Sequence, residues 1–255
     1  MADLDGTILN YDGSISKELN DLSEKLDKIG IHFTIATGRS KVPALNFAKS
    51  LNIKIPIICS GGALLTDVES SKDIYHHEIN NELFRSLQAD IGNSGKIALY
   101  SKEKIYVSKK FRWIEDYCVR QNIKLIKINK LQDAPYKTVL LIVTKNNEID
   151  AIQRKLTDKY SLFLEINKTF DNLCEVSSIR GSKLNSAKDI CSLFNLSKND
   201  LFYFGDGAAD INLIKYAKYG FTVKGSLAFR EMPEKDSIDT PDKLGFVNYI
   251  NSIIK

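Results

Sequence analysis

The stretch Met1-Ala2-Asp3-Leu4-Asp5-Gly6-Thr7 decides how the rest of the chain is read. Two carboxylates stand two positions apart, and a glycine and a hydroxyl follow at once. If the stretch ends a β-strand, the two-residue period puts Asp3 and Asp5 on one side. Paired carboxylates repel each other unless a cation or a proton lies between them. Gly6 lets the backbone turn sharply and approach a ligand closely. Asp-Gly is also common in ordinary turns, so the stretch alone has a plain reading too.

The chain downstream supplies the context. After a turn at Asp12-Gly13, Ser16 is placed to cap a helix with apolar positions Leu19, Leu22, Leu26 and Ile29, ending at Gly30. Residues 31–37 alternate and predict a strand that stops at Thr37-Gly38-Arg39-Ser40. A helix through Leu45, Ala48 and Leu51 follows, with Pro43 tolerable only in its first turn. Residues 55–59 predict an apolar strand running into Ser60-Gly61-Gly62. Strand, helix, strand, helix, strand predicts an α/β fold with a doubly wound, Rossmann-like parallel sheet.

The pattern then changes. A helix over 81–91, a hairpin of 96–100 and 104–107, and a helix through Phe111, Ile114, Tyr117 and Cys118 come first. Strands near 124–128 and 138–143, a helix through Ile149, Ile152 and Leu156, and strands at 161–166 and 173–176 follow. Short strands mixed with helices predict a separate α+β unit inserted at residues 79–178. The α/β pattern resumes with a Ser182-capped helix, the apolar strand 201–204 ending at Gly205-Asp206-Gly207, a helix through Ile211, Ile214 and Ala217, a strand at 220–223 and a last helix through Val247, Ile250 and Ile254. The core domain is therefore expected to be discontinuous, residues 1–78 and 179–255.

Bulk composition narrows the class. With 255 residues, 43% apolar and 27% charged, the chain can bury a sizeable core. The net charge of +4 is spread over both halves. Runs such as Lys102-Glu103-Lys104 and Lys109-Lys110 are too short for a nucleic-acid stripe. The four cysteines form no C-x-x-C pair and have no nearby histidine at zinc spacing, so free thiols in a reducing compartment are expected. There is no apolar run of membrane-spanning length, and the first residues are acidic where a signal peptide is basic. The expectation is a cytoplasmic protein with no nucleic-acid or membrane partner.

Three acid or hydroxyl residues fall at expected strand ends: Asp3, Thr37 and Asp206. In open parallel sheets, ligands bind beyond those ends. Lys183 falls in the first turn of a helix. Singly, each has a plain reading: a solvated lysine, a helix cap at Asp206, or a charge complementing a helix N-terminus at Asp210. Nothing local requires all of them together, and that coincidence points to a site.

In this order, Asp3-Leu4-Asp5-Gly6-Thr7, Thr37-Gly38-Arg39, Lys183, and Gly205-Asp206 with Asp210 resemble the motifs of the haloacid dehalogenase superfamily. The insertion resembles the large cap of its Cof-type, subclass IIB phosphatases. The tail, Asp239-Thr240-Pro241-Asp242 with Gly245, is similar as well. The resemblance implies a magnesium-dependent phosphatase acting on a small phosphorylated metabolite, a sugar phosphate foremost. It implies Asp3 as the nucleophile, forming an aspartyl phosphate, and Asp5 as the acid and base. Thr37, Lys183 and the backbone N–H groups of Gly6 and Gly38 would hold phosphoryl oxygens, and Arg39, whose plain reading is a surface salt bridge, would anchor substrate. Magnesium would be held by Asp3, Asp206 and the Asp5 backbone carbonyl, with Asp210 ordering metal-bound water. The cap would close over the site and set specificity, with Tyr100, Arg112, Trp113 and Lys127 as conceivable contacts. A monomer or weak homodimer is expected. A sugar phosphomutase and a weakened phosphate- or sugar-binding regulator are the alternatives.

Three departures from the family pattern stand in the sequence. Family members carry an apolar strand before the first aspartate, whereas Met1 and Ala2 precede Asp3 here; a misplaced start or a trimmed chain is the expectation. Gly61-Gly62-Ala63 stands for the family's Asn-Gly-Ala, and Ala209 replaces an asparagine in Gly205-Asp206-Gly207-Ala208-Ala209-Asp210. Both changes are expected to weaken support around the metal and phosphate.

Overall fold

The structure is a computed structural model that describes residues 1–120, 122–145 and 148–254. It divides into two compact units, Met1–Tyr75 together with the chain from Lys183 onward, and His76–Ser182. Each has its own core.

Helix α1 (Lys17–Lys28) begins at Ser16, whose hydroxyl accepts the Leu19 N–H at 3.1 Å and whose buried face carries Leu19, Leu22 and Leu26. It ends in a paired turn: Gly30, at φ +74°, donates to Asp27 O and Ile31 donates to Leu26 O. That turn consumes residues 30 and 31. The strand expected at 31–37 is correspondingly shorter, and only Ile35 and Ala36 make bridges. Helix α2 (Lys41–Ser50) follows, with Pro43 in its first turn. Strand β1 (Ile57–Cys59) leads through a 3₁₀ turn at Ser60–Gly62 into β2 (Leu64–Thr66) and β3 (Asp73–His76). The antiparallel β1–β2 pair was not expected from the sequence.

The second unit contains α3 (Asn81–Ile91), β4 (Lys96–Ser101), β5 (Lys104–Val107), α4 (Arg112–Arg120), β6 (Lys124–Lys127), β7 (Val139–Val143), α5 (Ile149–Tyr160), β8 (Leu164–Phe170) and β9 (Leu173–Ser178). Its six-stranded sheet has the order β6-β5-β4-β7-β9-β8, antiparallel except for β5–β6. Leu99, Leu140, Ile142, Cys174 and Val176 share a core with Phe84, Leu87 and Ile91 of α3 and Ile152 and Leu156 of α5.

The first unit resumes with α6 (Lys183–Leu193), β10 (Phe202–Gly205), α7 (Ile211–Tyr216), β11 (Tyr219–Val223), the unexpected α8 (Leu227–Glu231), β12 (Ser237–Ile238) and α9 (Gly245–Ile253). Strands β10, β11 and β12 pair in parallel. Parallel single-residue bridges join Ala2 to Phe204 on one side and to Ile35 on the other, and Ala36 to Ile58. Backbone bonds from Asp3 N to Phe204 O, at 2.9 Å, and from Ala36 N to Ala2 O, at 2.9 Å, fix Asp3 between two neighbours. Phe204, Phe221, Phe246 and Tyr249 pack ring against ring beside these strands. Among the described residues, no helix is long and apolar enough to cross a membrane.

Candidate active site

Parallel pairing places Asp3, Thr37 and Asp206, each one residue past a paired position, at the same end of their segments. Asp3 follows the Ala2 bridge, and Asp206 follows the last residue of β10. Asp3, Asp206 and Asp210 each present a carboxylate oxygen within 4.8 Å of the others. Asp3 and Asp210 are buried. Lys183, the first residue of α6, is 5% exposed and not the solvated lysine of the plain reading. Its Nζ donates to Asp3 Oδ1 and to Asp210 Oδ1, both at 2.7 Å.

Asp210 is fully engaged. Its Oδ1 also accepts from the Tyr203 hydroxyl at 2.5 Å, and its Oδ2 accepts the backbone N–H groups of Asp206 and Gly207 at 3.2 and 2.9 Å. Asp206 Oδ1 accepts from the Thr7 hydroxyl at 3.2 Å. Asp3 Oδ2 and Asp206 Oδ2 accept no hydrogen bond from another described residue. Sequence reasoning left Tyr203 unassigned. The signal was a tyrosine within a wholly apolar strand, because a buried hydroxyl needs a partner.

Burial pushes the Asp3 carboxyl well above the ordinary carboxylate range; Lys183 pulls against this, while Asp210 and Asp206 add to it. Burial also raises Asp206, to about 6, with the Asp210 charge next and Lys183 and Thr7 opposing. For Lys183, burial alone would favour the neutral amine, but the Asp210 and Asp3 charges overcome it and raise its pKa. Burial raises Tyr203 likewise, with Asp210 adding, so its hydroxyl keeps the proton it donates. Three carboxyl groups and one ammonium are thus gathered in a buried place. An all-oxygen donor set of this kind suits a hard divalent cation. Asp3 and Asp206, with oxygens to spare, fit as direct holders. Asp210, saturated by four donors, fits as the residue that orients Lys183 and the 206–207 backbone.

The remaining expected residues lie differently. The chain leaves its strand at Leu4, whose carbonyl accepts from Ile8 N and Leu9 N, so the two-residue alternation does not reach Asp5. The Asp5 side chain is 55% exposed and pairs with Arg39, whose Nε meets Oδ2 at 2.7 Å and whose Nη2 meets Oδ1 at 2.5 Å. Asp5 is not among the carboxylates gathered within 4.8 Å. The buried Thr37 hydroxyl accepts the Arg39 backbone N–H at 3.0 Å. Gly6 sits at φ +76°, and a Cβ there would lie 2.6 Å from Asp206 Oδ2, so this glycine lets Asp206 approach. At Gly38 a Cβ would meet nothing within 4 Å. Gly61 has φ +67° with open space around it, a conformation that asparagine also tolerates.

A family model of haloacid dehalogenase-like hydrolases matches residues 1–227. Over 99% of its length the chain is 24% identical to a protein of Buchnera aphidicola subsp. Baizongia pistaciae named provisionally as a phosphatase, covering 96% of that protein. It is 18% identical, over 99% of its length and 94% of the relative, to the 5-amino-6-(5-phospho-D-ribitylamino)uracil phosphatase YbjI of Escherichia coli. Its fold matches the subclass IIB sugar phosphatase BT4131 with a TM-score of 0.82 at 17% identity, covering 98% of this chain and 96% of that one. The chain belongs to the haloacid dehalogenase-like hydrolases and is a phosphatase of that superfamily.

Proposed function

We propose that the chain hydrolyses a small phosphorylated metabolite, a sugar phosphate foremost, in the presence of magnesium. The observation that carries this reading is the buried cluster of Asp3, Asp206 and Asp210 with Lys183 donating to two of them. The named substrates of two relatives, a phosphorylated ribitylaminouracil for one and a sugar phosphate for the other, support a small phosphate ester. When bound, magnesium would supply positive charge that lets a phosphate dianion approach a carboxylate.

In this reading, Asp3 attacks phosphorus. The phosphorus–oxygen bond to the leaving group breaks as an aspartyl phosphate forms. Asp5 gives its proton to the departing oxygen and later takes one from the water that releases phosphate. Lys183, Thr37 and backbone N–H groups at Gly6 and Gly38 hold phosphoryl oxygens, contributing position and charge. Asp3 and Asp206, with the Asp5 backbone carbonyl, would hold the metal. The bridge-linked segments at Ala2, Ile35–Ala36 and Ile58, continued by β10, β11 and β12, are read as one doubly wound parallel sheet. The inserted unit is read as the domain that sets specificity.

The test is release of phosphate from p-nitrophenyl phosphate with and without magnesium. Asp3→Asn should abolish it while far-ultraviolet circular dichroism stays native. Full turnover in that variant would remove Asp3 from the nucleophile's role.

A further inference from the structure

The Asp5–Arg39 pair sets a problem for the reaction. A group that protonates the leaving oxygen must reach the face of phosphorus opposite the one Asp3 attacks, with its carboxyl free to give a proton. Asp5 instead points to Arg39, in a two-pronged carboxylate–guanidinium pair with both contacts at 2.7 Å or below. The arginine is itself held. Its guanidinium carbon lies 4.6 Å from the centre of the Phe47 ring, its backbone N–H is fixed by Thr37 and its carbonyl by Ser60 N. Nη2 lies against the loop at Gly13, where a Cβ would come within 3.9 Å. A planar fork stacked on a ring and anchored at its backbone is a preformed receptor for a planar or tetrahedral anion. In this structure its occupant is a side chain of the same protein.

We propose that Arg39 is a positioning residue that parks Asp5 outside the carboxylate cluster, and that the preferred substrate carries a second anionic group, a carboxylate or phosphate on the leaving group, which takes over the Arg39 fork and releases Asp5. This rests on the phosphatase reading above. Exchange of one anion for another on the same fork keeps the guanidinium paired. A neutral leaving group offers no such exchange, and Asp5 then leaves the fork at the cost of the pair. Exposed ion pairs have modest strength, so the discrimination expected is about fivefold, more if the stacked fork is stronger than a typical surface pair. The chemistry selected is a phosphomonoester with a second negative charge beyond the reacting phosphate.

The experiment compares matched esters with magnesium: glycerol 3-phosphate against 3-phosphoglycerate, and fructose 6-phosphate against fructose 1,6-bisphosphate. Wild type should show the higher kcat on the ester with the extra anion in both pairs. Arg39→Gln should raise kcat on the neutral-leaving-group esters, raise KM for the anionic ones and bring the preference close to unity. Arg39→Lys, which keeps the charge and loses the fork, should fall between the two. Equal kcat for both members of each pair in wild type overturns the proposal while leaving the phosphatase reading intact. So does an Arg39→Gln variant, or Arg39→Lys if the first does not fold, that slows every ester by the same factor. No phosphate release from these esters or from p-nitrophenyl phosphate overturns both readings.

Discussion

Gly6 shows how one residue holds the cluster together. Its φ of +76° costs an alanine roughly 1–2 kcal/mol, and the added carbon would sit 2.6 Å from Asp206 Oδ2. Gly6→Ala should therefore lower the urea midpoint and shrink the rise in melting temperature that magnesium produces. Gly61→Asn should do neither, because its φ of +67° suits asparagine and nothing lies within 4 Å; an unchanged urea midpoint is the expected readout. The pH dependence follows from Asp206. Its carboxyl titrates near 6 in the fold against 3.8 as an ordinary aspartate, so the metal-free fold binds more protons than the unfolded chain in between. Its contribution to stability is thus complete below about pH 3.8 and is lost as the pH rises through about 6. A cation binds the ionised form. Melting curves with EDTA and with magnesium should therefore separate more near pH 7.5 than near pH 5, and an equal separation would contradict the assignment. The motif order in the sequence singled out Asp3, Lys183, Asp206 and Asp210, which the fold gathers. A salt bridge at Arg39 was a plain reading of the sequence, but its partner Asp5 was not legible, since the pair depends on the chain turning at Leu4 and not at Gly6. Tyr203 was missed because its partner, Asp210, is reached only through the turn after β10.

At the scale of elements, helices were readable where caps and apolar spacing agreed. The α1 cap at Ser16 is one such place, and Ser16→Ala should cost about 1 kcal/mol of stability by urea unfolding, since Leu19 N then loses its acceptor. Strands were less readable because their extent depends on neighbours. Residues 31–33 alternate as a strand would, yet Ile31 closes the α1 turn and Thr34 Oγ1 bonds to Pro56 O at 2.6 Å, leaving Ile35 and Ala36 to bridge. Strand β8 lies at 164–170, later than the expected 161–166, because α5 runs on to Tyr160 and a turn follows it. Strands β2 and β3 went unseen: Leu64-Leu65-Thr66 is too short to show a period, and its pairing with β1 depends on the 3₁₀ turn at Ser60–Gly62.

At the scale of the whole molecule, two hydrophobic cores share one chain. The first gathers Phe204, Phe221 and Phe246 with the residues around Asp3, and the second gathers Phe84, Leu140 and Val176. Units with separate cores unfold separately unless something couples them. Phe84 is fully buried, so Phe84→Ala should remove about 3–5 kcal/mol from the second core. The clustered carboxylates Asp3, Asp206 and Asp210, proposed to hold the metal, all lie in the first unit. Magnesium should therefore raise one of two unfolding transitions, and Phe84→Ala should lower the other while the magnesium-responsive one stays in place. Phe204→Ala is the converse variant: its ring packs on Phe221 and Phe246, and its backbone carries the bond to Asp3. It should lower the magnesium-responsive transition and leave the other unmoved. Calorimetry of both variants with EDTA and with magnesium separates the cases. If every variant shifts a single shared transition, the two cores are thermodynamically one, and loss of packing at Phe84 would then reach Asp3 through cooperativity alone.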